Sequence, residues 1–168
     1  MKAATPALIM LEQQGISFVA HTFDQASVDG ADIGYGRAAA AALGVEESRV
    51  FKTLLASVEP QLSGVAHVVA IVPVNTQVSL KALAEAIGAK RCEMAAAQVA
   101  QRITGYVVGG ISPFGQRKKL TTVVDQSAEL LTTMFVSGGK RGLDLELSPS
   151  DLVRVLDARV AAIAVPNG

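Results

Sequence analysis

Apolar residues along this chain recur with two periods, and the switches between them mark out the elements. Thr5 is placed to cap a helix with Pro6 at its first position, and Leu8, Ile9 and Leu11 keep helical spacing until Gly15 stops it. A strand is predicted from Ile16 to Phe23. The polar, glycine-bearing stretch from Asp24 to Gly36 reads as a loop able to fold over a neighbouring pocket. Arg37 to Leu43 is alanine-rich helix closed by Gly44. The runs Val50 to Val58 and Val65 to Val74 are apolar on both faces, as central paired strands are. Ser79 caps a helix through Ala86 with Gly88 past its end. Ala89 to Glu93 reads as a short strand and Ala95 to Ile103 as a further alanine-rich helix. Strands are then predicted at Tyr106 to Gly109, Leu120 to Asp125, Thr133 to Ser137 and Leu143 to Leu147. Ser148, Pro149 and Asp151 open a last helix to about Asp157, and Val160 to Val165 gives a closing strand. Strands and helices mix without strict alternation. The prediction is one α+β domain over residues 1–168, with a mixed, strongly curved sheet flanked by helices.

Composition narrows this picture. Half of the 168 residues are hydrophobic, yet only five Phe and two Tyr are present and no Trp, so the core is aliphatic. Lys plus Arg equals Asp plus Glu at 15 each, which argues against autonomous tight binding of nucleic acid. Basic clusters at Lys90-Arg91, Arg117-Lys118-Lys119 and Lys140-Arg141 read either as solvated charge or as contacts for a few phosphates at the mouth of a site. Cys92 is the single cysteine, so neither an internal disulfide nor a cysteine-based metal centre can form, and a reducing cytoplasm is expected. No window reaches the roughly 18 apolar residues of a membrane span, and a soluble, unprocessed chain is expected.

The densest chemical signal is Gly109-Gly110-Ile111-Ser112-Pro113-Phe114-Gly115. Two glycines let the backbone approach a ligand and aim neighbouring N–H groups at one oxygen, and Pro113 stiffens the exit. A plain tight turn is the competing reading. Lys52 interrupts an otherwise buried strand. Either its stem snorkels to the surface or its ammonium enters a polar cleft and meets a carboxylate, a phosphate or a carbonyl. Ser137 and Asp144 flank a glycine-rich hairpin and face one another across it, which is equally compatible with simple turn chemistry. Ser112 lacks a base that would make it a nucleophile, since the only histidines are His21, near a strand end, and His67, inside an apolar run. Gly34-Tyr35-Gly36-Arg37-Ala38-Ala39 follows a loop rather than a strand, so it is no dinucleotide fingerprint, and Gly139-Lys140-Arg141 is no P-loop.

Taken together, Val50-Phe51-Lys52-Thr53-Leu54-Leu55, the Gly109 to Gly115 loop and Ser137-Gly138-Gly139-Lys140-Arg141-Gly142-Leu143-Asp144 resemble the YbaK/EbsC family of aminoacyl-tRNA deacylases. The similarity continues through Gly88-Ala89-Lys90, Glu93-Met94-Ala95, Gln101-Arg102, Thr104-Gly105-Tyr106 and Leu156-Asp157-Ala158, nearly the whole chain. The resemblance implies a mixed, barrel-like sheet with peripheral helices. It implies that Lys52 is indispensable and lies in the cleft, and that the backbone at Gly109 and Gly110 donates to the ester carbonyl. Phe23, Tyr35, Thr53, Ile111, Ser112, Pro113, Ser137 and Asp144 are then expected around the aminoacyl group. Phe23 stands where family members often carry tyrosine, so the hydrogen bond of that hydroxyl is absent.

The expected substrate is Cys-tRNA(Pro), and also Cys-tRNA(Cys), with no cofactor and no metal. A substrate thiol attacking its own ester would account for the missing triad. Prolyl-tRNA synthetase in a transient ternary complex is the expected partner, without DNA or membrane. Two alternatives remain open: a sister deacylase for Ala-, Ser- or Thr-tRNA, and a non-catalytic module holding an amino acid or nucleotide.

Overall fold

In the computed structural model, residues 4–24 and 34–167 are described. Most of the glycine-bearing loop after Phe23, predicted to cover a pocket, lies outside the described residues.

Local signals place the helices. Helix α1, Pro6–Gln13, starts at Thr5, whose hydroxyl accepts from the Leu8 N–H. It leads to β1, Val19–Thr22, three residues shorter at its start than predicted, because Ile16 still closes the helix through its N–H to Leu11 carbonyl. Helix α2 is Tyr35–Leu43, ending on left-handed Gly44. An added Cβ on Gly36 would lie 2.5 Å from Val74 Cγ1, so glycine there lets α2 pack closely on the turn that follows Pro73. Strands β2, Phe51–Leu62, and β3, Val65–Pro73, form a long antiparallel hairpin. Then come β4, Thr76–Val78; α3, Leu80–Ile87, capped by Ser79; β5, Arg91–Met94; and α4, Ala97–Thr104. The chain continues through β6, Thr121–Asp125; β7, Met134–Lys140; and β8, Leu143–Leu147. It finishes with α5, Pro149–Leu156, capped by Ser148, and with β9, Arg159–Ala161, and β10, Ala164–Pro166. The single closing strand predicted at 160–165 is thus two short ones. Between them Ile163 turns inward, and the Ile163 and Ala164 N–H groups both donate to the Asp125 carboxylate.

The architecture is α+β. A five-stranded sheet in the order β5-β2-β3-β6-β9 is mixed, antiparallel at β2/β3 and β2/β5 and parallel at β3/β6 and β6/β9. A three-stranded antiparallel sheet, β1-β8-β7, and the pair β10-β4 are separate, so the sheets do not close into a barrel. An isolated bridge between Val50 and Phe135 joins the two larger sheets at one corner.

β3 explains the unbroken apolar run. Val69 and Ile71 enter the core shared with Leu11, Phe114, Leu145 and Leu152, while Val68, Ala70 and Val72 enter a second core against Leu83 of α3. Both faces are covered, so both must be apolar. A third, smaller cluster of Ala40, Val50, Val74 and Phe135 sits under α2, at the corner where the two sheets meet. No described helix is long and apolar enough to cross a membrane.

Candidate functional site

A cleft of about 390 Å³ opens at that corner, between α2, the start of β2, α4, the loop at 107–111 and the β7/β8 hairpin. Its walls are mainly aliphatic. Lys52, Thr53, Ser137, Arg141 and Asp144 bring polar groups into it, and Tyr35 closes one side.

The hairpin positions the acidic group. Register pairs Ser137 with Asp144, and an irregularity between Ser137 and Lys140 bends the tip. Ser137 Oγ accepts from the Gly139 N–H at 3.2 Å, which leaves its own proton available to the cleft. Asp144 is only 4% exposed and has no hydrogen-bond or ionic partner among the described residues. Burial alone pushes its carboxyl up to about 7.

Lys52 comes from the facing strand. Half-buried, it is likewise without a hydrogen bond or ion pair among the described residues, and burial lowers its pKa. Thr53, the next residue of β2 and also on the cleft wall, has a buried Oγ1 with no hydrogen-bond partner among the described residues. An orphaned buried hydroxyl costs about 1–3 kcal/mol. One cleft is therefore lined by residues whose carboxyl, amine and hydroxyl find no partner among the described residues.

The glycine loop differs from its prediction. Tyr106 to Gly109 is not a strand. Tyr106 is buried with its hydroxyl donating to the Phe114 carbonyl at 2.6 Å, whereas Val107 and Val108 are exposed. Gly109 lies on the cleft wall at φ +90°, and its N–H has no acceptor among the described residues. Gly110 does not line the cleft, and its N–H donates to the Val107 carbonyl at 2.9 Å. Its side-chain position is filled instead by the hairpin, since a Cβ there would lie 2.9 Å from Lys140 Cα. The expected pair of amide donors thus reduces to one. Ile111 reaches the cleft. Ser112 and Pro113 do not: Ser112 is wholly buried, its Oγ accepting from the Phe114 N–H, and Pro113 faces a separate depression near Met10. Phe23 also lies off the cleft wall, its N–H donating to the Gly142 carbonyl.

Two residues gain weight in the structure. Tyr35 hydroxyl accepts from the Gly142 N–H at 2.6 Å, tying α2 to the hairpin. Arg141 lies with its guanidinium 5.5 Å from the centre of the Tyr35 ring, and its Nε and an Nη donate to the Val108 carbonyl. Arg141 thereby clamps hairpin, helix and glycine loop around the cleft mouth. In sequence it is one of two adjacent cations at a turn, and nothing there shows that a guanidinium will bridge to residue 108.

The histidines lie elsewhere. His21 Nε2 is 2.8 Å from Glu146 Oε1, and His67 lies on β3 outside the cleft. Among the described residues no group of three or more His, Cys, Asp or Glu is placed to hold a metal ion.

Known proteins resemble this chain in sequence and in fold. Residues 35–155 match the family model of the aminoacyl-tRNA editing domain. The chain is 33% identical over 159 residues to EbsC of Enterococcus faecalis, assigned as a Cys-tRNA(Pro)/Cys-tRNA(Cys) deacylase, covering 95% of this chain and 92% of that one. Two solved structures share the fold. The hypothetical protein APE2540 superposes with a TM-score of 0.80 at 24% identity, over 96% of this chain and 100% of its own. A protein assigned as a trans-editing enzyme for prolyl-tRNA synthetase superposes with a TM-score of 0.81 at 19% identity, over 99% and 100%.

Proposed function

The chain belongs to the aminoacyl-tRNA editing domain family, whose members are deacylases, and we propose that its own substrate is mischarged Cys-tRNA(Pro), with Cys-tRNA(Cys) as a second. The observation that carries this reading is the pairing of an unmet carboxyl, Asp144, with an unmet amine, Lys52, in one small aliphatic cleft. A cysteinyl ester supplies what each lacks: an α-ammonium group for Asp144, and for Lys52 a carbonyl oxygen that gains negative charge. The short thiol side chain suits aliphatic walls.

In the proposed mechanism, Asp144 and the remaining lone pair of Ser137 Oγ accept from the α-ammonium group. The Gly109 N–H and Lys52 stabilise the oxyanion as it develops. The substrate's thiolate attacks its own carbonyl carbon; the C–S bond forms, the ester C–O bond breaks, and the thiol's proton ends on the departing ribose oxygen. The products are a cyclic thiolactone and tRNA, so the step is lyase-like. No protein nucleophile is required, because the site contributes orientation, which is worth several kcal/mol of barrier in intramolecular reactions. Ser112, buried and turned into its own loop, takes no part.

Specificity for tRNA(Pro) is assigned to a transient ternary complex with prolyl-tRNA synthetase, in the cytoplasm, since balanced charge leaves the chain little affinity of its own. Single-turnover deacylation of Cys-tRNA(Pro), Ala-tRNA(Pro) and Pro-tRNA(Pro) by wild type and Lys52→Ala tests the reading. Loss of the cysteinyl ester alone, and only with Lys52 present, is expected. Cleavage of Ala-tRNA(Pro) instead identifies a sister deacylase. No cleavage of any substrate, even with the synthetase added, refutes the enzymatic reading in favour of a binding module.

A further inference from the structure

Charge is balanced over the chain but not along it. Residues 94–124 contain Arg102, Arg117, Lys118 and Lys119 and no Asp or Glu. All four cations are exposed, and among the described residues none forms an ion pair. Several cations elsewhere are paired: Arg37 with Glu47, Arg49 with Glu146, Arg91 with Glu59 and Arg154 with Asp151; what sets 94–124 apart is that four cations share a stretch with no carboxylate.

The unpaired cations are joined to the cleft by a chain of contacts. Arg141, at the cleft mouth, holds the Val108 carbonyl, and the Val108 N–H donates to Gln101 Oε1 on α4. Arg102 follows Gln101 in the last turn of that helix, and Arg117 Nη1 reaches the Arg102 carbonyl at 3.4 Å. Lys118 is close as well: the pKa of His67 is lowered by burial and then by both Arg102 and Lys118. Glu93, two strands from His67 in register, lies 3.6 Å from Arg91.

Resting on the deacylase reading of the cleft, we propose that Arg102, Arg117, Lys118 and Lys119 form the docking track for the phosphate backbone of the tRNA acceptor stem. The track starts beside α4, whose Ala97 and Ala100 line the cleft, so a duplex seated on it directs its single-stranded 3′ end past Val108 to the ester site. Helical RNA offers proteins its phosphates and 2′-hydroxyls in a sequence-independent way, which suits flexible cations without fixed partners. Four such contacts give weak, salt-sensitive binding, consistent with a chain of zero net charge.

The test is the double variant Arg102→Gln/Lys118→Gln, both exposed positions away from the cleft. Deacylation is compared on a cysteinyl acceptor-stem minihelix and on a cysteinyl ester of adenosine, which has no phosphate, together with binding of the uncharged minihelix over a salt series. We expect the variant to lose about tenfold on the minihelix and to flatten its salt slope by about 2, one per cation removed. The adenosine ester should be cleaved at the wild-type rate. Unchanged minihelix rate and slope, or equal losses on both substrates, would overturn the track. If wild type cleaves neither ester but binds the minihelix with a slope that the variant flattens, the deacylase reading fails and the track stands. If wild type shows no salt-dependent minihelix binding, the track is refuted, and an acidic protein surface becomes its occupant.

Discussion

Asp144 and Glu146 stand two residues apart on the same face of β8, yet their carboxyl groups are treated in opposite ways. Glu146 is surrounded. Thr133 Oγ1 donates to it, His21 Nε2 lies 2.8 Å away and an Arg49 Nη 3.3 Å away, and these partners hold it below the usual carboxylate range. Asp144, deeper in the fold, has no partner among the described residues, and burial pushes it up to about 7. Glu146 fastens β1 to β8 and the β2 corner. Burying the Asp144 carboxylate without a partner among the described residues costs stability above its raised pKa. Proteins retain such a group where a ligand supplies the missing partner.

Breaking the Asp144 side of the contrast should change function most. Removing its companion by Lys52→Ala is expected to slow single-turnover deacylation by about a hundredfold or more, the size associated with a lost oxyanion donor. A melting curve should show little loss, since the amine leaves no partner behind. A wild-type deacylation rate would remove Lys52 from the site.

Asp144→Asn gives the next effect, and its sign differs between stability and activity. The folded carboxyl is raised from 3.8 to about 7, so the native state holds its proton longer than the unfolded chain. Its contribution is fully present below about 3.8 and is lost as pH rises through about 7. At about 1.36 kcal/mol per pH unit the gap is on the order of 4 kcal/mol. Denaturation should show the variant gaining on wild type from pH 4 to pH 8. In activity, wild-type kcat/KM should rise through about pH 7 as Asp144 ionises, and the variant should keep only the later rise from the substrate thiol. Parallel pH profiles for the two proteins would contradict this.

Glu146→Gln probes the other side. It should cost about 1.5–3 kcal/mol near neutral pH, a typical value for hydrogen bonds to a charged group, while leaving deacylation largely intact. Its stabilising effect is present above the unfolded carboxylate range and is lost as pH falls through its lowered native pKa, the reverse of Asp144. The smallest effect belongs to Thr53→Val, which removes the orphaned hydroxyl and should stabilise the free protein by about 1 kcal/mol in urea titration while weakening substrate binding.

How far these features are visible in sequence depends on how local their causes are. Thr5 with Pro6, Ser79, and Ser148 with Pro149 fix helix starts through bonds spanning three residues, and the helices begin as predicted. The doubly buried β3 shows as an unbroken apolar run for the same reason. Tyr106-Val107-Val108 imitates a strand, but the segment is set by bonds to Phe114, Gln101 and Arg141, which no local pattern contains. The same limit affects the glycine loop. Adjacent glycines suggest two amide donors, whereas Gly110 is glycine because the hairpin backbone passes where its side chain would be. Lys52 could be marked as unusual from its apolar neighbours. That Asp144 goes unpaired while Glu146 is satisfied depends on β1 and β7 flanking β8 and on Arg49, ahead of β2, reaching Glu146, and becomes apparent only in three dimensions.

In the proposed site, Asp144 is left without a partner so that a ligand's ammonium group can pair with it. A carbon NMR titration of its carboxyl tests this directly, in the free protein and with a non-hydrolysable amide analogue of 3′-cysteinyl adenosine. The midpoint is expected at about 7 in the free protein and should fall by at least about one pH unit when the analogue binds. A midpoint in the ordinary aspartate range, or one that the bound analogue leaves unmoved, would contradict that pairing.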